Sequence, residues 1–333
     1  MDAPLRIGFI GHGRHAQANL YPALDALGVT LTSIATRDGD AATAAARRHG
    51  ATRGHGSYET MLSEDSLDAV IISVGPDDHV GVVAAALGAG VDVFVEKPLG
   101  MYRAEAAAIA GLADDLGRIV EVGFMKRFAP AYERMAGAIR DEATMGRPVS
   151  FLANFGFTPW TTELRNDTYL RFGAIHIVDL ISSLFGDVVD ISGATNSVGS
   201  EIAMVWSLRC ASGVVGALHC TGVPAWGRER EELTVTCTQG YVRSEDLTRV
   251  RFHVDQPAND PAARWQTLDE ATVEIESINS PASGGRRDLY LRGFVGELDH
   301  FLQCVRDRTE PRSSARTNVV TTDLCDRLLA ALG

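Results

Sequence analysis

A chain of 333 residues with 45% hydrophobic and 22% charged residues is long enough for a globular protein of two domains. Its formal net charge of −12 argues against nucleic-acid binding, because no basic stripe is present to neutralise phosphates. The apolar runs are far too short for a membrane span and the N-terminus lacks a secretion signal, so we expect a cytoplasmic protein without membrane partners.

The first third of the chain alternates short apolar strands with helices. Strands are predicted at residues 5–10, 29–35, 51–53, 69–73, 91–96 and 119–122. Helices are predicted at 14–27 (interrupted near Pro22), 38–49 (with Asp38 as N-cap), 57–62, 78–89 and 104–116. Apolar strands that alternate with helices indicate a doubly wound parallel sheet with helices on both faces.

After about Met125 the composition changes to alternating, β-branched segments. Strands are predicted at 150–155, 188–194, 204–210, 214–220, 233–238, 241–244 and 249–254. Helices are predicted at 174–184, 289–306 and 318–332, and loops at 255–263 and 280–287. This spacing is that of antiparallel strands in one larger sheet, so we expect domains at residues 1–126 and 127–333.

The cysteines and histidines show no pattern of cross-links or metal ligands. The five cysteines lie at positions 210, 220, 237, 304 and 325, and their odd number in a chain of this size favours reduced thiols. We interpret the nine histidines as scattered, without a helically spaced pair beside a carboxylate or thiol, and predict no metal site.

The segment Gly11-His12-Gly13-Arg14-His15-Ala16 joins the first strand to the first helix, which is the context of a dinucleotide-binding turn. Gly11 permits the tight turn, Gly13 lets backbone N–H groups approach the pyrophosphate, and Ala16 allows close packing of helix on strand. The helix N-terminus adds partial positive charge. Other predicted cofactor residues are His12, Arg14, His15, Ser73, Gly75, Pro76, His79, Glu96 and Lys97, although His79 fits a simple helix start equally well.

The residues Thr36, Arg37 and Asp38 follow the second strand, where the ribose of the cofactor is recognised. Arg37 offers a fork of donors to a 2′-phosphate, and Thr36 adds a hydroxyl. Asp38 is alternatively the ligand of a ribose 2′-hydroxyl or only the cap of the next helix. We favour NADP over NAD.

Lys97 ends the fifth strand, between Glu96 and Pro98, and is delivered to the ligand-binding edge of the sheet. The proline biases Lys97 towards an extended backbone. A surface lysine is the alternative, but the position favours function. A glycine turn with a lysine beside it suggests hydride transfer on an alcohol or carbonyl.

Four segments carry a family resemblance: 7–14 (IGFIGHGR), 95–99 (VEKPL), 123–128 (GFMKRF) and 176–180 (HIVDL). With them the chain resembles the Gfo/Idh/MocA family, that of glucose–fructose oxidoreductase and inositol dehydrogenase, over nearly its whole length. The resemblance implies a Rossmann domain followed by an α/β domain with a large, mostly antiparallel open sheet. It also implies that this sheet serves as an oligomer interface, giving a homodimer or homotetramer.

The resemblance further implies that Lys97 and His176 are the catalytic residues. Family members usually carry an aspartate four residues before the histidine, where this chain has Phe172. His176 and Asp179 lie three apart on one predicted helix and share a face. Asp179 either orients a substrate hydroxyl or pairs locally, and the other predicted substrate residues are Arg127, Asn154, Trp160 and Arg165.

Together these features predict an NADP-preferring oxidoreductase acting on a sugar, nucleotide-sugar, cyclitol or similar polar carbonyl. A catalytically inactive, dinucleotide-sensing regulatory protein on the same fold is the alternative. Phe172 favours the regulator, whereas Lys97 with His176 favours the enzyme.

Overall fold

The computed structural model describes residues 4–158, 161, 164–223, 228–254, 272–277 and 287–333. The chain forms two compact units. The first consists of Met1–Phe128 with Asp288–Asp326, and the second of Ala129–Arg287 with Arg327–Gly333. The sequence analysis placed one boundary, between residues 126 and 127. In the structure, Asp288–Asp326 is also grouped with the first unit.

The first unit contains a sheet of six parallel strands. They are β1 (Ile7–Ile10), β2 (Leu31–Ala35), β3 (Arg53–His55), β4 (Ala69–Ile72), β5 (Asp92–Glu96) and β6 (Val120–Gly123). The helices between them are α1 (Tyr21–Ala26), α2 (Gly39–His49), α3 (Tyr58–Glu64), α4 (His79–Gly88) and α5 (Arg103–Leu116). The strand order β3-β2-β1-β4-β5-β6 is that of the dinucleotide-binding fold, so the predicted Rossmann sheet is confirmed.

Local sequence explains where these helices begin. The Asp38 carboxylate accepts the N–H groups of Asp40 (2.9 Å) and Ala41 (3.1 Å) and caps α2. A π-helical turn, Ala16–Leu20, precedes α1. Pro22 is therefore the second residue of α1 and comes directly after the π-helical turn.

The second unit contains an eight-stranded sheet. Its strands are β7 (Pro148–Gly156), β8 (Val188–Thr195), β9 (Ile202–Cys210), β10 (Val215–Gly222), β11 (Arg230–Cys237), β12 (Gly240–Glu245), β13 (Arg249–Val254) and β14 (Thr272–Glu276). Its helices are α6 (Pro130–Arg140), α7 (Glu142–Met145), α8 (Asn166–Thr168) and α9 (Ile175–Phe185). The order is β14-β13-β12-β11-β7-β10-β9-β8, and every pair is antiparallel except β7 with β10. The predicted large, mostly antiparallel sheet is confirmed.

The two faces of this sheet differ in their cover. On one face Phe151 of β7 stacks on Phe185 of α9, with ring centroids 4.6 Å apart. The opposite face, here named the outer face, carries Leu152 on β7, Val205 on β9 and Val215 on β10. These three apolar side chains are exposed.

Three helices follow the large sheet: α10 (Arg287–Leu291), α11 (Phe294–Asp307) and α12 (Ala315–Ala330). The single helix predicted at 289–306 is wrong, because Gly293 with φ +96° separates α10 from α11. Phe301 of α11 packs on Phe94 of β5, with ring centroids 5.8 Å apart. Helix α11 therefore completes the core of the first unit, where each large apolar side chain contributes about 1.5–3 kcal/mol.

Several further elements differ from the sequence predictions. Helices α6 and α7 and strand β14 were not predicted. The predicted loops at 255–263 and 280–286 lie outside the described residues, and residue 287 begins α10. In the described part of the chain, no helix has the length and apolar character needed to cross a bilayer.

Candidate functional site

The glycine turn after β1 admits no side chain at Gly11. Gly11 has φ +111°, and its N–H donates to the carbonyl oxygen of Ala35 at the end of β2 (2.9 Å). A Cβ on Gly11 would lie 2.0 Å from the carbonyl oxygen of Ser73, just after β4. A Cβ on Gly13 would meet nothing within 4 Å. Gly11 is thus required by the protein itself, whereas the backbone at Gly13 is open to a ligand.

A cleft of about 960 Å³ opens beside this turn, at the carboxyl ends of β1, β2 and β4. Nine predicted cofactor residues line it: Gly11, His12, Gly13, Arg14, His15, Thr36, Arg37, Ser73 and Gly75. Its volume falls in the range of small-molecule sites, and its position is the switch point where doubly wound sheets bind ligands. The remaining predicted cofactor residues, Pro76, His79, Glu96 and Lys97, do not line this cleft.

Two arginines provide positive charge in the cleft. Arg14 and Arg37 are exposed, and neither forms an ion pair or side-chain hydrogen bond with a described residue. The Asp38 carboxylate is engaged as the cap of α2, and the Thr36 hydroxyl donates to the Asp38 carbonyl oxygen (2.6 Å). Of the residues after β2, Arg37 therefore has the side chain most available to an anionic ligand.

Lys97 follows β5 directly, is partly buried, and precedes Pro98 through a cis peptide bond. His79, at the start of α4, is 1% exposed, and its Nδ1–H donates to the Pro98 carbonyl oxygen (2.7 Å). Burial lowers the pKa of His79 and favours the neutral ring. His79 thus supports the segment that carries Lys97.

Glu96 links this segment to the glycine turn. The Glu96 carboxylate is 7% exposed, and its Oε1 lies 2.8 Å from Nε2 of His15. Its Oε2 accepts the backbone N–H of Lys97 (3.2 Å). Burial raises the pKa of Glu96, but the hydrogen bond from His15 and the charge of Lys97 help to bring it below the ordinary value. Glu96 is therefore ionised at neutral pH, and its observed contacts are with protein groups.

His12 belongs to a stack of rings behind the turn. Its Nε2 lies 3.3 Å from Nε2 of His49, and the His49 ring stacks on Tyr21 with centroids 3.9 Å apart. Tyr21 stacks in turn on Phe9 (4.1 Å) and donates its hydroxyl proton to the Gly11 carbonyl oxygen (2.9 Å). Burial lowers the pKa of both histidines, which favours two neutral rings. One ring then donates its Nε2–H to Nε2 of the other.

In the second unit, His176 and Asp179 lie in the first two turns of α9 and are 8% and 1% exposed. A π-helical stretch, Tyr169–Ala174, leads into α9. In this stretch Phe172 is half-buried, whereas Arg171 is 9% exposed. The burial of Arg171 was not predicted, because the sequence pattern around an arginine does not show whether its side chain is buried.

The remaining predicted substrate residues are dispersed. Asn154 is exposed on the outer face of the large sheet, opposite the face on which α9 packs, so the structure does not bring it together with His176. Arg165 is exposed just before α8, and Trp160 lies outside the described residues. In the first unit, Arg127 donates a hydrogen bond to the Arg312 carbonyl oxygen, which is a structural contact.

A cluster of potential ligands between β6 and α11 was missed by the sequence reading. His300 and Cys304 are four residues apart on α11, and single donor atoms from these two residues and Glu121 lie within 4.8 Å of one another. The spacing His-x-x-x-Cys was overlooked because the carboxylate comes from a distant strand. His300 Nε2 already accepts the Arg312 N–H (3.1 Å) and lies 3.4 Å from Cys304 Sγ. These contacts join His300 to Arg312 and Cys304, and all five cysteines are buried and outside disulfides.

Lysine usage gives a second overlooked signal. The chain contains only two lysines, Lys97 and Lys126, among 31 basic residues. Lys97 is partly buried and Lys126 is 1% exposed, although lysine is among the residues most often found on surfaces. Because the chain has so few lysines, Lys126, in the segment after β6, could have been recognised from the sequence as an unusual residue.

The sequence of the chain is similar to those of known oxidoreductases. Residues 5–124 match the family model described as an oxidoreductase family with an NAD-binding Rossmann fold. The D-apiose dehydrogenase of Paraburkholderia graminis is 28% identical over 330 residues, covering 95% of this chain and 84% of that protein. The D-xylose 1-dehydrogenase (NADP(+)) 2 of Haloferax volcanii is 36% identical over 173 residues, or 51% of this chain and 53% of that protein.

A solved structure extends the likeness to the fold of the whole chain. A dehydrogenase from Chromobacterium violaceum has a TM-score of 0.86 and 18% identity, with 100% of this chain and 96% of that one covered. At this identity the likeness shows the fold alone.

Proposed function

Because the chain belongs to the Gfo/Idh/MocA family of oxidoreductases, we propose that it is an NAD(P)-dependent dehydrogenase of a sugar or similar polyhydroxylated substrate. D-Apiose and D-xylose, named for two relatives, are the first substrates to test, and nucleotide-sugars and cyclitols are the next. The glycine turn and its cleft carry the proposal. Gly13 presents open backbone to a pyrophosphate, in a cleft of suitable volume.

We propose NADP(H) as the preferred cofactor, with NAD(H) as the alternative. The exposed guanidiniums of Arg14 and Arg37 line the cleft without partners among the described residues, which suits a phosphate-binding side chain. The N-terminus of α2 engages Oδ1 of the Asp38 carboxylate, which leaves Oδ2 for a ribose hydroxyl in the NAD(H) alternative. The relative from Haloferax volcanii is named for NADP(+).

We assign proton transfer to Lys97 and hydrogen bonding to the reacting oxygen to His176. When bound, the nicotinamide supplies or accepts the hydride. Oxidation of an alcohol also requires a base for the hydroxyl proton, and an amine on a partly buried lysine can take it. His176 is 8% exposed, so its contacts with substrate would be made away from bulk water.

Turnover with a panel of substrates tests the proposal. Purified protein is assayed with each cofactor and with D-apiose, D-xylose, hexoses and cyclitols, by the absorbance of the reduced nicotinamide. We expect turnover with at least one of these compounds. Lys97→Ala and His176→Ala should each lower kcat by about 10² to 10⁴, the usual effect of losing an acid–base group, with cofactor affinity retained.

The control is Arg47→Ala, since Arg47 is an exposed basic residue of α2. If Lys97→Ala turned over its substrate at the unmodified rate, the assigned mechanism would be wrong. The regulatory alternative predicts a different pattern: no turnover with any compound, and cofactor binding that is unaffected by either substitution.

A further inference from the structure

The orientation of the Asn19 amide follows from its partners. Asn19 lies in the π-helical turn before α1 and is 7% exposed. Its Oδ1 accepts Nη1–H of Arg292 (3.1 Å), because a guanidinium only donates. Its Nδ2 therefore faces Nδ1 of His15, at 3.2 Å. An amide nitrogen is also only a donor, so Nδ1 of His15 must be the acceptor.

The state of the His15 ring follows in turn. With Nδ1 accepting, the neutral ring carries its proton on Nε2 and donates it to Glu96 Oε1, 2.8 Å away. Protonation of Nδ1 would place two donors against each other. His15 is thus held as the Nε2–H tautomer, and a hydrogen bond from a neutral ring supports the buried carboxylate.

The segment that follows α10 fixes the ring from a second direction. The His15 ring packs edge-on against Phe294, with centroids 5.7 Å apart. The Arg292 guanidinium lies 4.8 Å from the centroid of the same phenylalanine ring. Gly293, with φ +96°, lies between these two residues. One short segment therefore supplies both Phe294, which packs on the His15 ring, and Arg292, which donates to Asn19.

Glu96 connects the His15 ring to the backbone of Lys97. Its Oε1 is held by His15 and its Oε2 accepts the Lys97 N–H, so one carboxylate joins the glycine turn to the lysine backbone. The charged or titratable groups around Glu96 are His15, Lys97, His79 and Glu297. A buried carboxylate that loses a donor must recruit water or move, since an unpaired buried charge is strongly unfavourable.

We propose that Arg292, Asn19 and His15 form a positioning network that orients Glu96 and thereby the backbone of Lys97. The network's function rests on the proposed role of Lys97, whereas its geometry does not. Arg292 and Asn19 do not line the cofactor cleft, unlike His15. Substitutions at these two positions therefore separate positioning from cofactor contact.

The first test reads the ring directly. Nitrogen-15 NMR of histidine-labelled protein, with the His15 signals identified from a His15→Gln variant, reports the tautomer of His15. We expect the Nε2–H tautomer at neutral pH. In Asn19→Asp, a carboxylate oxygen faces Nδ1, and the ring should become the charged form with both nitrogens protonated. An Nδ1–H tautomer in the unmodified protein would overturn the network, whatever the enzyme activity.

The second test reads the consequence for catalysis. Asn19→Leu and Arg292→Gln should each lower kcat about ten- to hundredfold, the range for hydrogen bonds to charged groups, with the cofactor Kd unchanged. Arg292→Lys retains a cationic donor and should restore part of the loss. Arg306→Gln, on the exposed side of α11, is the matched control.

The two tests separate the possible failures. An unchanged kcat in Asn19→Leu and Arg292→Gln would refute positioning, provided that Lys97→Ala is impaired. A Lys97→Ala variant with full activity would instead refute the proposed function, and the NMR result would still decide whether the network exists.

Discussion

Arg37 lies at the tip of β2 with an exposed guanidinium, beside an aspartate whose carboxylate is already used to cap a helix. The contrast between these neighbours supports the proposed role of Arg37 in cofactor recognition. The cap engages only Oδ1 of Asp38, so Oδ2 is the oxygen that remains for a ribose hydroxyl. A guanidinium without protein partners gives up only hydration when it binds a phosphate.

Replacing Arg37 by alanine should remove the preference for NADPH over NADH. A charge-assisted, forked contact is worth about 1.5–3 kcal/mol, or roughly ten- to more than a hundredfold in affinity. Calorimetric titration with both cofactors checks this difference, with Arg47→Ala as control. Equal affinities of the unmodified protein for the two cofactors would refute the assignment of Arg37.

Residue roles could be predicted from the sequence where they depend on local spacing. The glycine turn is of this kind, because Gly11 and Gly13 are defined by a neighbouring strand and helix. The contact of Arg292 with Asn19 is not, since the two residues are 273 positions apart. Glu96 was predicted to contact the cofactor, but in the structure its oxygens hold His15 and the Lys97 backbone.

Helix α11 and strand β6 each carry a buried carboxyl group. Glu297 of α11 and Glu121 of β6 are both 0% exposed, and their oxygens form no hydrogen bond with any described residue. Burial raises the pKa of each well above its ordinary value. For Glu297, the charges of Glu96 and Glu121 add to this effect and Arg292 opposes it. Burial of these two side chains therefore favours their protonated forms.

Glu297→Gln should stabilise the protein at neutral and alkaline pH, but not in acid. Where the folded protein holds a proton that the unfolded chain has released, stability falls by about 1.4 kcal/mol per pH unit as pH rises. This loss begins above the ordinary glutamate pKa and stops at the raised folded value. Glutamine carries no such proton, so the variant should lose that part of the pH dependence.

Urea unfolding at about pH 5 and about pH 8 measures this difference. Glu64→Gln, which changes an exposed carboxylate of α3, should leave the pH dependence as it is. A Glu297→Gln variant less stable than the unmodified protein at the higher pH would show that the carboxylate makes a favourable interaction.

Strands and helices could be predicted from the sequence where the pattern of apolar residues has no interruption. Strand β4 is a fully buried apolar run and β5 is a fully buried strand with the apolar centre Val93–Val95, and such runs are recognisable without a structure. The predicted helix 289–306 failed because its apolar spacing continues through Gly293, where the backbone turns. The π-helical turn before α1 leaves no compositional trace, although it carries Asn19.

At the scale of the whole molecule, the outer face of the large sheet exposes apolar side chains that a partner protein could cover. Leu152, Val205 and Val215 are exposed on neighbouring strands. Towards β12–β14 the same face is charged, with Arg251 paired to Glu274 (2.6 Å). We propose that a second copy covers the apolar part, giving a dimer or tetramer of closed symmetry.

A single charge on this face should dissociate the assembly. Val205→Glu would bury an unpaired carboxylate in the proposed interface, whereas Val198→Glu places the same charge on an exposed valine outside the strands. Sedimentation at micromolar concentration should give an oligomer for the unmodified protein and for Val198→Glu, and 35.7 kDa for Val205→Glu. A monomeric mass for the unmodified protein would remove the interface.

The return of α11 to the first unit has a consequence for synthesis on the ribosome. Residues up to Phe128 emerge early, but Phe301, which packs on Phe94, lies beyond the entire large sheet. At about 5–20 residues per second, roughly ten to thirty seconds separate the two parts. During that interval the nascent nucleotide-binding sheet lacks one wall of its core. Vectorial translation therefore leaves the core of the first unit incomplete until the whole large sheet has been synthesised, and chaperones have access to its exposed apolar surface throughout that interval.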